Sequence, residues 1–321
     1  SAALQMATPG SMTDALARIV ECGSAGCIPA VAGSPQGVLP LSQTIFLWQS
    51  LLSVAIEVVV VTAVMWWVTP TGDQARSAQD LGIADEGLSS PGDGGGAAAA
   101  AGPTRPGEWL EHAPWLNGLV VAMGGGYLVH HFASAQHVLE SINLHTVILA
   151  LLLVGTALHG TPARLQRAFA QATPAVWGVL LQFPFYGGIA GMLAATQLNE
   201  RIADVFVRMS SRATLPPLIA LYSALLGIFV PSGGSKWLIE APYVLAAAHR
   251  LKVHLGWMVA VYDLGEALAN LLQPFWMLPV LAILGLKARQ VMGFTFIVFL
   301  VLAPVVLLLT WGLGLTLPYP H

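Results

Sequence analysis

Apolar runs alternate with short polar breaks along most of the chain, and the lengths of those runs set the expected elements. Residues 41–68 form the first run long enough to cross a bilayer, which takes roughly 20 apolar residues. Glu57 interrupts it; a carboxylate at membrane depth costs on the order of 3 kcal/mol, so this side chain should face protein or water. Trp66 and Trp67 mark an interface. Residues 115–131 and 144–158 are slightly short spans, the first carrying Gly124-Gly125-Gly126, which permits close helix approach. A third segment, 174–193, is expected to kink at Pro184 and to be loosened by Gly187 and Gly188. Residues 255–286 form an apolar run broken at Gln273-Pro274, and 291–315 a clean final span.

Other stretches follow different patterns. In 197–212, Leu198, Ile202, Val205, Phe206 and Met209 fall on one helical face, while Glu200, Arg201, Asp204, Arg208 and Arg212 fall on the other, which predicts a helix lying in the membrane interface. Residues 1–40 are small and Pro/Gly-punctuated, with 12–20 the best surface-helix candidate. Residues 69–113 are rich in Asp, Glu, Gly, Ser and Pro without hydrophobic periodicity, and predict a disordered linker between two halves.

The most informative break is Phe229-Val230-Pro231-Ser232-Gly233-Gly234-Ser235-Lys236-Trp237. Apolar arms at 215–230 and 238–248 flank it, each too short to span, which predicts a re-entrant helical hairpin over 215–248. Non-helical backbone at membrane depth is tolerated only where protein buries it or it lines a wet cavity, so a polar ligand is expected at this tip. Gly233 and Gly234 permit positive φ and expose backbone N–H groups, Ser232 and Ser235 add hydroxyls, and a helix restarting near Ser235 would turn its positive end toward an anion such as a small carboxylate. The same residues also suit a tight surface turn.

Composition narrows the class. Of 321 residues, 56% are hydrophobic and 9% charged, with a mean hydropathy of +0.71; a soluble domain carries about 25% charged residues. The expected fold is therefore an all-α polytopic membrane protein. The net charge of -3 comes without a clustered basic face, so no nucleic-acid partner is expected. Basic residues Arg164, Arg167, Lys287 and Arg289 place 69–113 and 160–173 in the cytoplasm and the C-terminus outside. Cys22 and Cys27 lack further ligands for a zinc site and read as plain thiols or a local disulfide. The chain begins Ser1-Ala2-Ala3-Leu4, without Met or a signal segment, and reads as starting inside a longer protein.

A second constellation lies in the broken run: Tyr262, Asp263, Glu266, Asn270, Gln273 and Pro274. Spacings of three and four put Asp263, Glu266, Asn270 and Gln273 on one helical stripe, and Pro274, lacking an N–H, frees the carbonyl one turn back. Carboxylates and free carbonyls are hard oxygen ligands suited to Na⁺, or to a proton relay, so Asp263, Glu266 and Asn270 are candidate coupling-ion ligands. Polar glue between helices is the plainer reading of the stripe. Gln182 and Tyr186, one turn apart beside Pro184, could contact a polar substrate. No catalytic residues and no cofactor are expected: Tyr262-Asp263 would suit half of an intramembrane aspartyl protease, but Gly-x-Gly-Asp is missing, as are His-Glu-x-x-His and Gly-x-Ser-x-Gly. A non-transporting membrane scaffold is the other alternative.

The runs 230–237, Asn270-Leu271-Leu272-Gln273-Pro274-Phe275-Trp276, and Leu284-Gly285-Leu286-Lys287-Ala288-Arg289 through Met292-Gly293 resemble the short-chain fatty acid transporters of the AtoE type, within the ion transporter superfamily. The resemblance extends over most of 114–316 and touches 7–10 and 39–46. It implies secondary, ion-coupled uptake of small monocarboxylates such as acetoacetate or butyrate by alternating access, in a multi-pass protein of the bacterial inner membrane. It further implies inverted repeats, re-entrant hairpins and a homodimer. On that reading 1–68 ends the first repeat, 114–316 is the second, and 317–321 is a tail. Substrate-binding candidates are Ser232, Gly233, Gly234, Ser235, Lys236, Asn270, Gln273, Gln182 and Tyr186. The sequence departs from the family at Leu268, Ala269 and Lys236; Lys236 would be a counter-charge for substrate or would snorkel to water. Since the resemblance places the partner of the 231–237 tip before Ser1, this chain alone is expected not to transport.

Overall fold

The computed structural model of the chain describes residues 2–8, 39–71, 106–135, 138–196, 198–273, 275–283 and 286–319. The expected surface helix at 12–20, Cys22, Cys27, Pro274 and most of the expected linker lie outside them. Among the described residues every regular element is helical, and these form two compact units.

The larger unit comprises residues 1–69, 182–278 and 287–321. It begins with a short helix, α1 (Ala2–Met6), whose Ala2, Ala3 and Met6 are buried. A 3-10 turn at Leu41–Gln43 leads into α2 (Trp48–Val68). At 21 residues and about 1.5 Å each, α2 is long enough to cross a hydrocarbon core. Trp66 and Trp67 stand well exposed at its end, where amphipathic indoles settle at a lipid interface.

The smaller unit holds residues 70–181 and 279–286. Its helices are α3 (Pro106–Glu111), inside the stretch expected to be linker, then α4 (Pro114–Ala133), α5 (Val138–Ser141) and α6 (Leu144–His159). Asn143 caps α6 by accepting from the N–H groups of His145 and Thr146, while the Thr146 hydroxyl accepts from the Asn143 N–H. Of the three consecutive glycines in α4, only Gly124 meets a neighbour: a Cβ there would come within 2.6 Å of the Leu153 side chain on α6. Gly160, with φ +70°, ends α6, and the axis bends by 118° between Leu144–His159 and Pro162–Thr173.

Helix α7 (Pro162–Ala195) corrects an expectation. The segment expected at 174–193 is part of one 34-residue helix that starts at Pro162 and stays helical through Pro174 and Pro184; proline at the first position costs no hydrogen bond.

The remaining elements of the larger unit are α8 (Leu198–Met209), α9 (Leu215–Phe229), α10 (Gly233–Arg250), α11 (Leu255–Leu272), the start of α12 (Leu278–Ile283), and α13 (Ala288–Gly314). Side chains of α2, α9, α11 and α13 build a core from Val64, Ala224, Leu264, Leu268, Val298 and Leu302. Helices α9 and α11 pack closest, because Gly265 lets α11 approach the Ala220 carbonyl and Gly227 lets α9 approach Ala269; a Cβ at either glycine would sit 2.5 Å from those atoms. Among the described residues, α2 and α13 are each long and apolar enough to span a membrane, and the bent α6–α7 pair would make a third.

Helix α8 is amphipathic as expected. Asn199, Ala203 and Phe206 face protein, while Leu198, Val205 and Met209 are exposed. Phe206 packs edge-on to Tyr222 at 5.1 Å and parallel to Tyr243 at 6.2 Å between ring centres, and Asp204 pairs with Arg250. In lipid an apolar face needs no protein cover, so hydrophobicity alone does not tell the protein side from the lipid side.

Candidate functional site

The break in the apolar run is short. Helix α9 ends at Phe229, residues 230–232 are extended or bent, and α10 starts at Gly233 with Ser232 as its cap residue (φ −146°, ψ 95°). The two helices then run back along each other: the Tyr222 and Tyr243 hydroxyls lie 3.0 Å apart, and Ser223 Oγ donates to Glu240 Oε1 at 3.4 Å. The 15 residues of α9 reach about 22 Å, less than a hydrocarbon core.

Ser232, Gly233, Gly234, Ser235 and Lys236 therefore form the cap and first turn of α10. Two details differ from expectation. The helix restarts at Gly233 instead of Ser235, and neither Gly233 nor Gly234 has positive φ. What Gly234 supplies is room, since a Cβ would lie 3.0 Å from Gln5 Nε2. The tip carbonyls are held from two sides: Gln5 Nε2 donates to Gly234 O at 3.3 Å and the Tyr262 hydroxyl donates to Gly233 O at 2.5 Å. Segment 2–8 thus seats directly on the tip.

Lys236 points inward. Its side chain is fully buried, which removes the snorkelling alternative. The ammonium donates to Ser223 O at 2.7 Å and Ser223 Oγ at 2.9 Å, and lies 2.5 Å from Glu266 Oε2 and 3.7 Å from Glu240 Oε1. The Tyr262 ring centre is 4.8 Å away. Gly227 leaves space for the pair, because a Cβ there would come within 3.2 Å of both Lys236 Nζ and Glu266 Oε2. The structure therefore joins an expected substrate counter-charge and an expected coupling-ion ligand, Lys236 and Glu266, into one ion pair. Such a pair is held in place by the cost of leaving either charge dry and alone.

The other stripe residues of α11 do not converge on it. Asp263 Oδ1 accepts from the Ala2 N–H at 3.2 Å. Asn270 and Gln273 form a separate network at the helix end: Gln273 Nε2 donates to Asn270 Oδ1 at 2.7 Å, Gln273 Oε1 accepts from the Phe275 N–H at 2.9 Å, and the Trp276 indole donates to Asn270 O at 2.8 Å. That last carbonyl is the one Pro274 leaves without a helical donor. Tyr186 is half-buried on α7, and the side chain of Gln182 lies outside the description. Among the described residues no group of three or more His, Cys, Asp or Glu side chains converges as for a metal ion.

Sequence reasoning missed Glu240 and Ser223. Lys236 and Glu240 are four apart on one helix, a spacing that signals an ion pair; Ser223 carried no such mark. It also missed His254, which caps α11 by accepting from the Trp257 N–H at Nδ1, 3.1 Å. Burial pushes this imidazole's pKa down from 6.5, keeping the acceptor nitrogen unprotonated.

Comparison with known proteins identifies the family. The pattern of the family described as "Short chain fatty acid transporter" matches residues 22–315. A protein of Escherichia coli (strain K12), provisionally named a short-chain fatty acid transporter, is 38% identical over 189 residues, 59% of this chain and 42% of that protein. A Haemophilus influenzae protein with the same provisional name is 30% identical over 272 residues, 85% of this chain and 59% of its own length. The chain spans about half the length of these relatives. No solved structure matches at a significant level. The chain belongs to the short-chain fatty acid transporter family, a family of membrane transporters and not of enzymes.

Proposed function

We propose that the full-length protein is a secondary carrier that takes up short-chain monocarboxylates, of the size of acetoacetate or butyrate, across the bacterial inner membrane. It does so as a multi-pass, ion-coupled homodimer working by alternating access between inverted repeats. The observation that carries this reading is the polar break between α9, which is too short to span, and α10, whose start lies beside a fully buried lysine and two carboxylates. Charged groups at membrane depth are costly and are kept where they handle a ligand or an ion. The unpaired N–H groups of the first turn of α10, with the Ser232 and Ser235 hydroxyls, are the donors for a carboxylate. Lys236 ends that first turn, and its pairing with Glu266 on α11 couples the carboxylate site to the ion site. Asn270 and Gln273 line the break in α11, with Tyr186 and Gln182 as further contacts, and Glu266, Asp263 and Asn270 serve the coupling ion.

The test is counterflow of labelled acetate, acetoacetate and butyrate in proteoliposomes of the full-length gene product. Exchange of at least one of these acids, competed by the unlabelled acid and absent from empty liposomes, is expected. No exchange of any C2 to C6 acid by protein that is folded and inserted would overturn the reading.

A further inference from the structure

The ammonium of Lys236 is surrounded as a metal cation would be. Oxygens of three kinds lie against it: the ammonium donates to a backbone carbonyl (Ser223 O, 2.7 Å) and a hydroxyl (Ser223 Oγ, 2.9 Å) and forms an ion pair with a carboxylate (Glu266 Oε2, 2.5 Å). A second carboxylate oxygen, Glu240 Oε1, lies further out at 3.7 Å. This mixture of carboxylate, hydroxyl and main-chain oxygen is the donor set that binds hard cations. The shell comes from three helices, α9, α10 and α11, and none of it is open to solvent beyond the 8% exposure of Glu266.

Two further observations show that the shell offers more than a lysine needs. Glu240 is completely buried, and its second oxygen, Oε2, has no hydrogen-bond partner. Gly227 faces the pair and keeps the space beside Nζ free of any side chain. An ion pair needs one carboxylate; here two carboxyl groups and a serine surround one ammonium in a dry place, where an unbalanced charge is expensive.

We infer that Lys236 is a tethered cation: its ammonium occupies the position of a monovalent cation in an oxygen-lined site between α9, α10 and α11, so that this site needs no sodium. The inference rests on the ion-coupling part of the transport reading and narrows it: the ion that Glu266 serves is a proton and not sodium. The side chain of Lys236 can leave the shell but cannot diffuse away. Removing the ammonium uncovers a vacant cation site, and free Na⁺ or NH₄⁺ then fills it.

The experiment reads cation binding without transport, so its failure leaves the carrier reading standing, and a failure of counterflow leaves this inference standing. Purified full-length protein in detergent is unfolded by heat in choline, sodium and ammonium chloride at equal ionic strength. Wild type is expected to melt within about 1 °C in all three. Lys236→Ala is expected to melt lower in choline and to regain about 3 °C or more in sodium or ammonium, the signature of a ligand that binds only the folded state. Adding Glu266→Gln to Lys236→Ala is expected to abolish that gain. Lys236→Ser, which keeps a hydroxyl in the shell, is the second variant should the alanine protein purify poorly. A sodium-specific gain in wild type would overturn the inference, and so would the failure of either cation to stabilise both variants.

Discussion

Gly265→Ala is the sharpest test of how the helices carry this site. The new methyl would stand 2.5 Å from the carbonyl oxygen of Ala220 and 3.0 Å from Ser223 Cβ, whereas ordinary contact begins near 3.4 Å. The shortfall, 3.4 − 2.5 = 0.9 Å, is against backbone, which cannot swing aside as a side chain can. Helices α9 and α11 must therefore part by most of that distance. Overpacking of this kind costs up to about 3 kcal/mol, and alanine returns about 1 kcal/mol through its better helix propensity, leaving a net loss of about 2 kcal/mol. For a protein of this size that is a fall in Tm of about 3 °C, readable from tryptophan fluorescence in detergent, since the chain has 10 tryptophans. Ser223 and Glu266 grip the Lys236 ammonium from α9 and α11 respectively, so the same separation loosens the ion pair. Gly125→Ala is the control: its Cβ meets nothing within 4 Å, so it should leave Tm unchanged or raise it. A Gly265→Ala protein that melts within 1 °C of wild type would refute the close-approach argument.

Glu266→Gln strands a buried ammonium and should lower stability by about 3–5 kcal/mol, whereas Lys236→Met combined with Glu266→Gln should cost less than the sum of the two single changes; simple additivity in thermal melts would show that the pair is not coupled. His254 has a folded-state pKa below its unfolded value of 6.5, so the stability it contributes is fully present above pH 6.5 and is lost as pH falls below that toward the lowered folded value, where the unfolded chain binds the proton first. His254→Asn keeps a capping acceptor and should flatten that part of the Tm profile between pH 5 and 7; an unchanged slope rules His254 out as its cause. Asn270→Ala or Gln273→Ala should abolish butyrate uptake by the full-length protein while leaving its membrane insertion intact; normal uptake by both removes them from the site.

Much of the helical order could be read from the sequence, and the reason is periodicity. The break after Phe229 announces itself through Pro231, Gly233 and Gly234, and the end of α11 at Leu272 through Gln273-Pro274. Helix starts were read less well: Pro162 opens α7 so quietly that the helix seemed to begin at Pro174. Asp263, Glu266 and Asn270 share a face of α11, whereas Gln273 falls just past the helix end in extended backbone, and the members of the stripe meet different partners. Spacing along one helix fixes which side chains share a face, while their partners arrive from α1 and α10 across long stretches of chain. Lys236 shows the same limit, since its strongest contact, Glu266, is supplied by another helix. On α8 the apolar face is legible, while which of its residues meet protein is not, because lipid and protein reward apolar side chains alike: Phe206 is buried and Leu198 and Met209 are exposed.

The indole of Trp276 gives the break in α11 a property its proline alone would deny it. Proline removes a donor, and a main-chain carbonyl without a partner in hydrocarbon is worth several kcal/mol of instability. Trp276 returns that donor from six residues away, at 2.8 Å from Asn270 O, so the interruption needs no water to be tolerated. Pro274 and Trp276 are in this sense one device written at two positions: Trp276→Phe alone leaves the carbonyl stranded, and Pro274→Ala, by restoring an N–H, relieves the need for the indole.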